Sequence, residues 1–239
     1  MTIDRIHHEI KLRWNKINSN HKKGFPSAYL DDAINKAQDD FIEIFYSGNN
    51  SKQYRFGFEV TQQRIDMLSD LVVVNKSIAP IFISTGRYSL TINNLNPSYK
   101  HFVSGVVVQD NCISPITIVR YNDLNEKLQN ENTKPSKKWK RVLGTFSDGK
   151  IILYSDGVIT SASIDYIKVP SKVFIGGYDS LEYVNGDLSA YSSISPKVTS
   201  QINGQYHDLL VDMTVQYLAS ILEDVNKVQL QEKIIINKT

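Results

Sequence analysis

Two amphipathic segments stand near the ends of this chain, and a long β-forming stretch lies between them. The first, SAYLDDAINKAQDDFIEIFYSGN, runs from Ser27 to Asn49, and the second, QYHDLLVDMTVQYLASILEDVNKVQLQEKIIINKT, from Gln205 to Thr239. Each repeats apolar residues three or four positions apart, the period of a helix with one buried face. Such faces must be covered, and these two can cover each other. That would bring the chain ends together and leave the middle to fold as an insertion.

The helices can be placed by their stripes. Ile3, Ile6, Ile10, Trp14 and Ile17 predict a first helix over Ile3–Asn18, with Arg5, Lys11, Arg13 and Lys16 on its opposite face. Gly24 and Pro26 break the pattern. In the second helix Leu30, Ile34, Ala37, Phe41 and Ile44 or Phe45 continue one face, Ser27 stands at the N-cap position, and Gly48 with Asn49 ends it. A shorter helix is expected over Glu59–Leu68. The last runs from Gln205 to about Lys227, where Tyr206, Leu210, Met213, Tyr217, Ile221 and Val225 form a stripe that Leu209, Leu218 and Leu222 widen. A stripe that wide calls for more than one neighbour.

From Asp70 to about Ser195 the residues are Val, Ile, Thr and Tyr in short runs, broken by Gly, Pro, Asn and Asp. Strands are expected at 71–74, 80–84, 101–109, 116–121, 150–156 and 163–170. Asp-Gly pairs at 147–150 and 155–158 predict hairpins, and the polar stretch from Asn122 to Lys138 a long hairpin loop. The expected architecture is α+β: N- and C-terminal helices packed as one layer, with an inserted antiparallel β-sheet or small barrel. In residue terms, 1–69 and 204–228 form the helical layer of a single composite domain, 70–203 the β-rich insertion, and 229–239 a C-terminal docking tail. The tail carries Ile234, Ile235 and Ile236 in succession, an apolar group that calls for a docking site.

Composition narrows the class. The 239 residues can bury a substantial core, and 41% apolar with 22% charged residues is a globular balance. No apolar run nears the roughly 20 residues of a membrane span, so no membrane partner is expected. MTIDRIHHEIKLRW has no apolar stretch of the secretory kind. Cys112 is the single cysteine, which excludes an internal disulfide framework and suits synthesis in a reducing cytoplasm. A formal charge of +2 does not by itself mark a nucleic-acid binder.

Catalytic and ligand motifs are not found. His7 and His8 are adjacent on a helix and point apart, without the i, i+4 spacing of a metal pair; His21, His101 and His207 stand alone. Each reads as a satisfied or solvated histidine, and Cys112 as a small buried residue near a strand. There is no phosphate loop, dinucleotide fingerprint or GxSxG elbow. Asp179, Glu182 and Asp187 crowd a glycine-rich stretch but lack the spacing of a calcium loop. The pairs Asp31–Asp32, Asp39–Asp40 and Glu223–Asp224 read as solvated helix faces. No enzyme activity, cofactor or metal is expected.

One charge cluster stands out. KPSKKWKR, Lys134–Arg141, carries five basic residues, one tryptophan and no acid. Basic and aromatic side chains together can engage phosphates and bases, which marks Lys137, Lys138, Trp139 and Arg141 as candidate partner contacts. The alternatives are a solvated loop in which Trp139 starts the next strand, or a contact with an acidic patch on another protein.

The terminal helices also carry a likeness. YLDDAINKAQDDFIEIFY, with Ile34, Asn35, Ala37-Gln38 and Phe41-Ile42 in order, resembles the early helix of tailed-phage head-completion and neck proteins. SIDYIKVPSKV at 163–173 is similar to their strand-to-proline segment, and YHDLLVDMTVQYLASILED to their closing helix. The region from about Asp70 to Lys140 has no counterpart, and so large a β insert departs from the small helical adaptors. It looks more like the elaborated ring proteins of crAss-like podoviruses. The resemblance implies a virion structural protein made in the host cytoplasm. It would form a homo-oligomeric ring, usually twelvefold, bound to the portal and to adjacent neck or tail proteins, with passing contact to genomic DNA in the channel. Two rival classes remain: a soluble binding module acting through Lys134–Arg141, and an enzyme of unrecognised type.

Overall fold

Helix α1 spans Ile3–Ile17 and buries Ile3, Ile6, Ile10 and Trp14, the stripe its spacing predicts. Helix α2 covers Ser27–Ser47. Its first helical bond runs from the Leu30 N–H to the Pro26 carbonyl, so Pro26, not Ser27, takes the capping position. Leu30, Ala33, Ile34, Ala37, Phe41, Ile42 and Phe45 are buried. The computed structural model describes residues 1–17, 25–47, 66–176 and 197–221. Of the helix expected over 59–68, only 66–68 lie among them, helical and followed by a 3-10 turn at Ser69–Leu71.

Eight strands follow. They are β1 (Val72–Ile78), β2 (Ile81–Ser84), β3 (Arg87–Thr91), β4 (Tyr99–Gln109), β5 (Cys112–Ile118), β6 (Val142–Ser147), β7 (Lys150–Tyr154) and β8 (Ile159–Lys168). They form one mixed, curled sheet in the order β1-β8-β4-β5-β6-β7-β3-β2. Strands β1 and β2 stand at opposite ends of that order although only Ala79 and Pro80 separate them. Two residues span roughly 10 Å at most, so the sheet has to curl back on itself. Its concave side holds the core: Ile78, Leu90, Val107, Ile116, Val142, Ile151, Leu153, Ile159, Ile164 and Tyr166.

Strand β5 turns the corner. Its residues 112–115 pair antiparallel with β4, and 116–118 pair parallel with β6. Pro115 stands at the switch; lacking an N–H, it cannot donate to a second neighbour. Just beyond it Ile116 fills the space that two glycines leave. A Cβ on Gly105 would come within 2.9 Å of the Ile116 Cδ1, and one on Gly144 within 2.9 Å of its Cγ2.

The β5–β6 pair corrects one expectation. Parallel neighbours need a crossover rather than a hairpin. The stretch from Asn122 to Lys138 supplies it with a 3-10 turn (Tyr121–Asp123) and a short helix, α3 (Leu124–Gln129). Leu124 and Leu128 pack with Val119, Leu143 and Tyr154. Of the two Asp-Gly turns, only Asp148-Gly149 closes a hairpin, β6–β7, with both φ angles positive, as a type I′ turn needs. The Asp156-Gly157 turn joins β7 to β8, which are not neighbours. There the Ser155 hydroxyl accepts from the Gly157 N–H and donates to its carbonyl. The β4–β5 hairpin instead turns on Asp110-Asn111, also at positive φ.

Helix α4 (His207–Ile221) follows a 3-10 turn at Gly204–Tyr206. It packs against both α1 and α2 and is buried almost all round from Leu209 to Val215. The broad stripe in its sequence has this origin. Residues 222–239, including Ile234–Ile236, lie outside the described residues. The chain divides into two compact units, Met1–Asp70 with Pro170–Thr239, and Leu71–Val169. The β unit thus closes at Val169, whereas an insertion to residue 203 is expected; residues 170–176 and 197–203 group with the helices. The fold is α+β, as expected.

Gly144→Val should overpack the Ile116 corner. Urea denaturation should show a loss of about 1–3 kcal/mol, the usual cost of forcing methyl groups into a filled core, with the m-value unchanged.

Candidate functional site

Beside the apolar stripe of α2 runs a polar one: Asp31, Asn35 and Gln38, spaced i, i+4, i+7. Asp31 and Gln38 are buried. Buried polar groups need partners, and these find them on the extended segment after β8. The Asp31 Oδ2 accepts from the Ile175 N–H at 3.0 Å. The Asn35 side chain treats Val173 as a strand would, accepting from its N–H at 2.6 Å and donating to its carbonyl at 3.3 Å. Gln38 donates to Asn35 and accepts from the Ser200 hydroxyl at 2.6 Å. Ser200 in turn accepts from the Ile202 N–H. Phe174 and Val198 pair through two backbone bonds of 3.0 and 2.8 Å, so α2 grips two chain segments at once.

His7 of α1 joins the network. Its Nε2 lies 2.7 Å from Asp31 Oδ1, and the two side chains are 2% and 3% exposed. A carboxylate accepts, so the imidazole donates from Nε2; its Nδ1 is buried without a hydrogen-bond partner. Both side chains are thus sealed from solvent. His7 is a histidine satisfied through Nε2, one of the two readings its sequence offered, while the reading of Asp31 as part of a solvated face is corrected: the pair joins α1 to α2. A lone charge left at such a site costs about 3–5 kcal/mol.

A second set of polar contacts ties α4 down. The Arg13 guanidinium donates to Asp212 at 2.5 Å and to Asp208 at 2.7 Å. His207 is buried, with Nε2 at 2.8 Å from the Ile202 carbonyl and Nδ1 at 2.7 Å from the Met1 amino group. A carbonyl only accepts and an ammonium only donates, so the ring is neutral with its proton on Nε2. Burial pushes the His207 imidazole below its ordinary value of 6.5, and the nearby ammonium acts in the same direction. Between α2 and α4 lies an open groove of about 410 Å³, lined by Ala37, Ile44, Met213 and Tyr217 with Asp40 and Glu43 among its polar walls.

In the β unit, the basic segment forms a closed loop rather than the start of a strand. Ser136 and Arg141 pair through backbone bonds of 3.0 and 2.9 Å, leaving Lys137, Lys138, Trp139 and Lys140 at the tip. Trp139 is 67% exposed, and β6 begins three residues later. Lys137 forms an ion pair with Asp110 at 3.1 Å, Lys138 lies 5.3 Å from the Trp139 ring centre, and the Arg141 guanidinium donates to the Asn132 carbonyl. Lys137 and Arg141 are thus engaged by other parts of the unit, and Lys138 and Trp139 by each other. At the end of β4, Gln109 is fully buried, with neither amide atom hydrogen-bonded.

Cys112 opens β5 as a half-buried free thiol. Asp179, Glu182, Asp187 and His21 lie outside the described residues. Among those described, no three His, Cys, Asp or Glu side chains could hold a metal ion, and no helix is long and apolar enough to cross a membrane. No family model matches the chain, and no curated protein matches it.

Two outcomes test the helical network. Asn35→Leu should cost about 1–3 kcal/mol, because it strands the buried Val173 backbone groups; the urea midpoint measures it. The unfolded chain protonates His207 near pH 6.5 while the folded chain resists. Stability is therefore complete above that pH and declines as pH falls below it. His207→Gln should narrow the difference between denaturation midpoints at about pH 7.5 and about pH 5.5.

Proposed function

We propose that this protein is a non-enzymatic virion component, a ring subunit in the neck of a tailed phage between the capsid portal and the tail. The observation that carries the reading is the role of the residues behind the neck-protein likeness. Ile34, Ala37, Phe41 and Ile42 are each at most 1% exposed, and Asn35 and Gln38 hold Val173 and Ser200. The pattern thus organises the helical unit instead of decorating a surface. The strand-to-proline segment fits the same scheme, since β8 ends at Lys168 and Pro170 opens the part of the chain that α2 grips.

In this role the helical unit builds head-to-tail contacts around a closed axis, and the groove between α2 and α4 is a natural element of them. The C-terminal segment with Ile234–Ile236 docks on a neighbour or on the portal. The ring continues the DNA channel, and the protein resides in the virion.

A second reading rests on the exposed tip of the basic loop. Lys138, Trp139 and Lys140 present charge and an aromatic face, a combination suited to nucleic acid or an acidic protein. The Lys137–Asp110 pair weakens it, because a phosphate must compete with Asp110.

The purified protein should form a cyclic oligomer by light scattering and negative-stain microscopy, and virion preparations should contain it. A monodisperse monomer with no place in a particle would reject the ring reading. For the loop, binding to single-stranded DNA should weaken steeply with salt and drop further in Lys138→Ala/Lys140→Ala; affinity indifferent to both would reject the second reading.

A further inference from the structure

The curled sheet has two ends, each with an irregular register, and they differ in the side chains they carry. At the β1 end the register shifts between Val73 and Lys76. Asn75 there adopts φ 55, its N–H bound by Asp165 at 2.7 Å, and the Lys76 ammonium reaches the Asn96 carbonyl. A bulge and a charge are the usual devices that keep foreign strands off an edge. At the other end, among the described residues, β2 pairs with β3 alone; it has a register shift of its own between Phe82 and Ser84 but no charged side chain. Its Ile81, Phe82 and Ile83 are 55%, 62% and 52% exposed.

Strand β2 also breaks the alternation of a half-buried strand. Phe82 leans on Tyr88 of β3, ring centres 5.7 Å apart. Ile81 points to the opposite face, because successive side chains alternate, and Ile83 stands at the register shift. A strand apolar on both faces is built to be covered on both, yet this one lies bare at an edge. The chain holds one other unexplained run of the same kind: Lys233-Ile234-Ile235-Ile236-Asn237, beyond α4. Three consecutive β-branched residues favour a strand, and they too are apolar on either face. From Ile221, extended chain can carry Ile234 on the order of 40 Å.

We propose that the outer edge of β2 accepts the segment Lys233–Asn237 of a neighbouring copy as an added strand. Backbone bonds to the free edge supply affinity, and the Ile81–Phe82–Ile83 faces against three isoleucines supply specificity. The added strand covers two apolar runs at once and extends the sheet of one copy with the tail of the next. The proposal rests on the oligomeric reading above for the source of the segment.

The test uses the full chain carrying Ile235→Asp, whose own segment can no longer dock, and a fluorescent peptide of residues 229–239. Anisotropy should show saturable binding to this variant and about tenfold weaker binding to the wild type, whose edges are filled. Adding Phe82→Glu or, separately, Ile83→Glu should lower affinity at least about tenfold; both sites are exposed, so folding should survive. Light scattering should show a smaller species for Ile235→Asp than for the wild type. Absence of peptide binding, or binding that ignores both edge variants, overturns the proposal; if the wild type is still a cyclic oligomer, the ring reading stands without it. A monomeric wild type that refuses the peptide means the segment folds onto its own chain, which overturns the proposal and the ring reading together.

Discussion

The helical unit depends on the need of buried polar groups for partners. Helix α2 has an apolar stripe that α4 packs against and, next to it, a stripe of Asp31, Asn35 and Gln38 that backbone groups and the side chains of His7 and Ser200 satisfy. An extended segment with unpaired N–H and carbonyl groups has the converse need. Asn35 meets both sides of it at Val173, and Asp31 meets Ile175 while binding His7. Each bond is worth little net in water, but leaving either partner unpaired is expensive. The network therefore selects one register of segment against helix, which apolar packing alone would leave loose. It also explains why residues after β8 belong with the helices.

The β unit rests on a steric constraint. A chain that goes from β1 to β2 in two residues, yet puts them at opposite ends of eight strands, needs a sharply curled sheet. Strand β5 provides the bend by giving one half to β4 and the other to β6, with Pro115 between. Gly105 and Gly144 let Ile116 fill the corner. The same curl leaves two strand edges near one turn, and that of β2 exposes Ile81, Phe82 and Ile83.

Much of this was legible in the sequence. Among the described residues the stripes of α1, α2 and α4 appeared at their true positions, apart from the exposed Ile221, because a helical period of apolar residues survives any packing partner. Asp148-Gly149 marked its hairpin because positive φ at both positions favours that pair. Asp110-Asn111 makes an equivalent turn without glycine and gave a weaker signal. Strand β3, RYSLT, was missed among short neighbours, and the Asp156-Gly157 turn was assigned to a hairpin because local residues cannot tell which strand the chain meets next. The polar stripe of α2 was visible as i, i+4, i+7 spacing, but carboxylates and amides at that spacing usually face water.

What the sequence determined by itself was the division of labour: amphipathic helices at the two ends, β structure between them, and no local motif for catalysis. These follow from periodicity and residue type, which are local properties. Tertiary structure decided the rest. It made His7 and Asp31 a buried pair across 24 residues, turned Arg13 from a solvated face toward Asp212, and tied Lys137 to Asp110. It also left Ile81–Ile83 bare at a sheet edge. Whether a polar residue is solvated or paired, and whether an apolar strand is central or terminal, depends on which distant segment lies beside it. No local pattern encodes that neighbour.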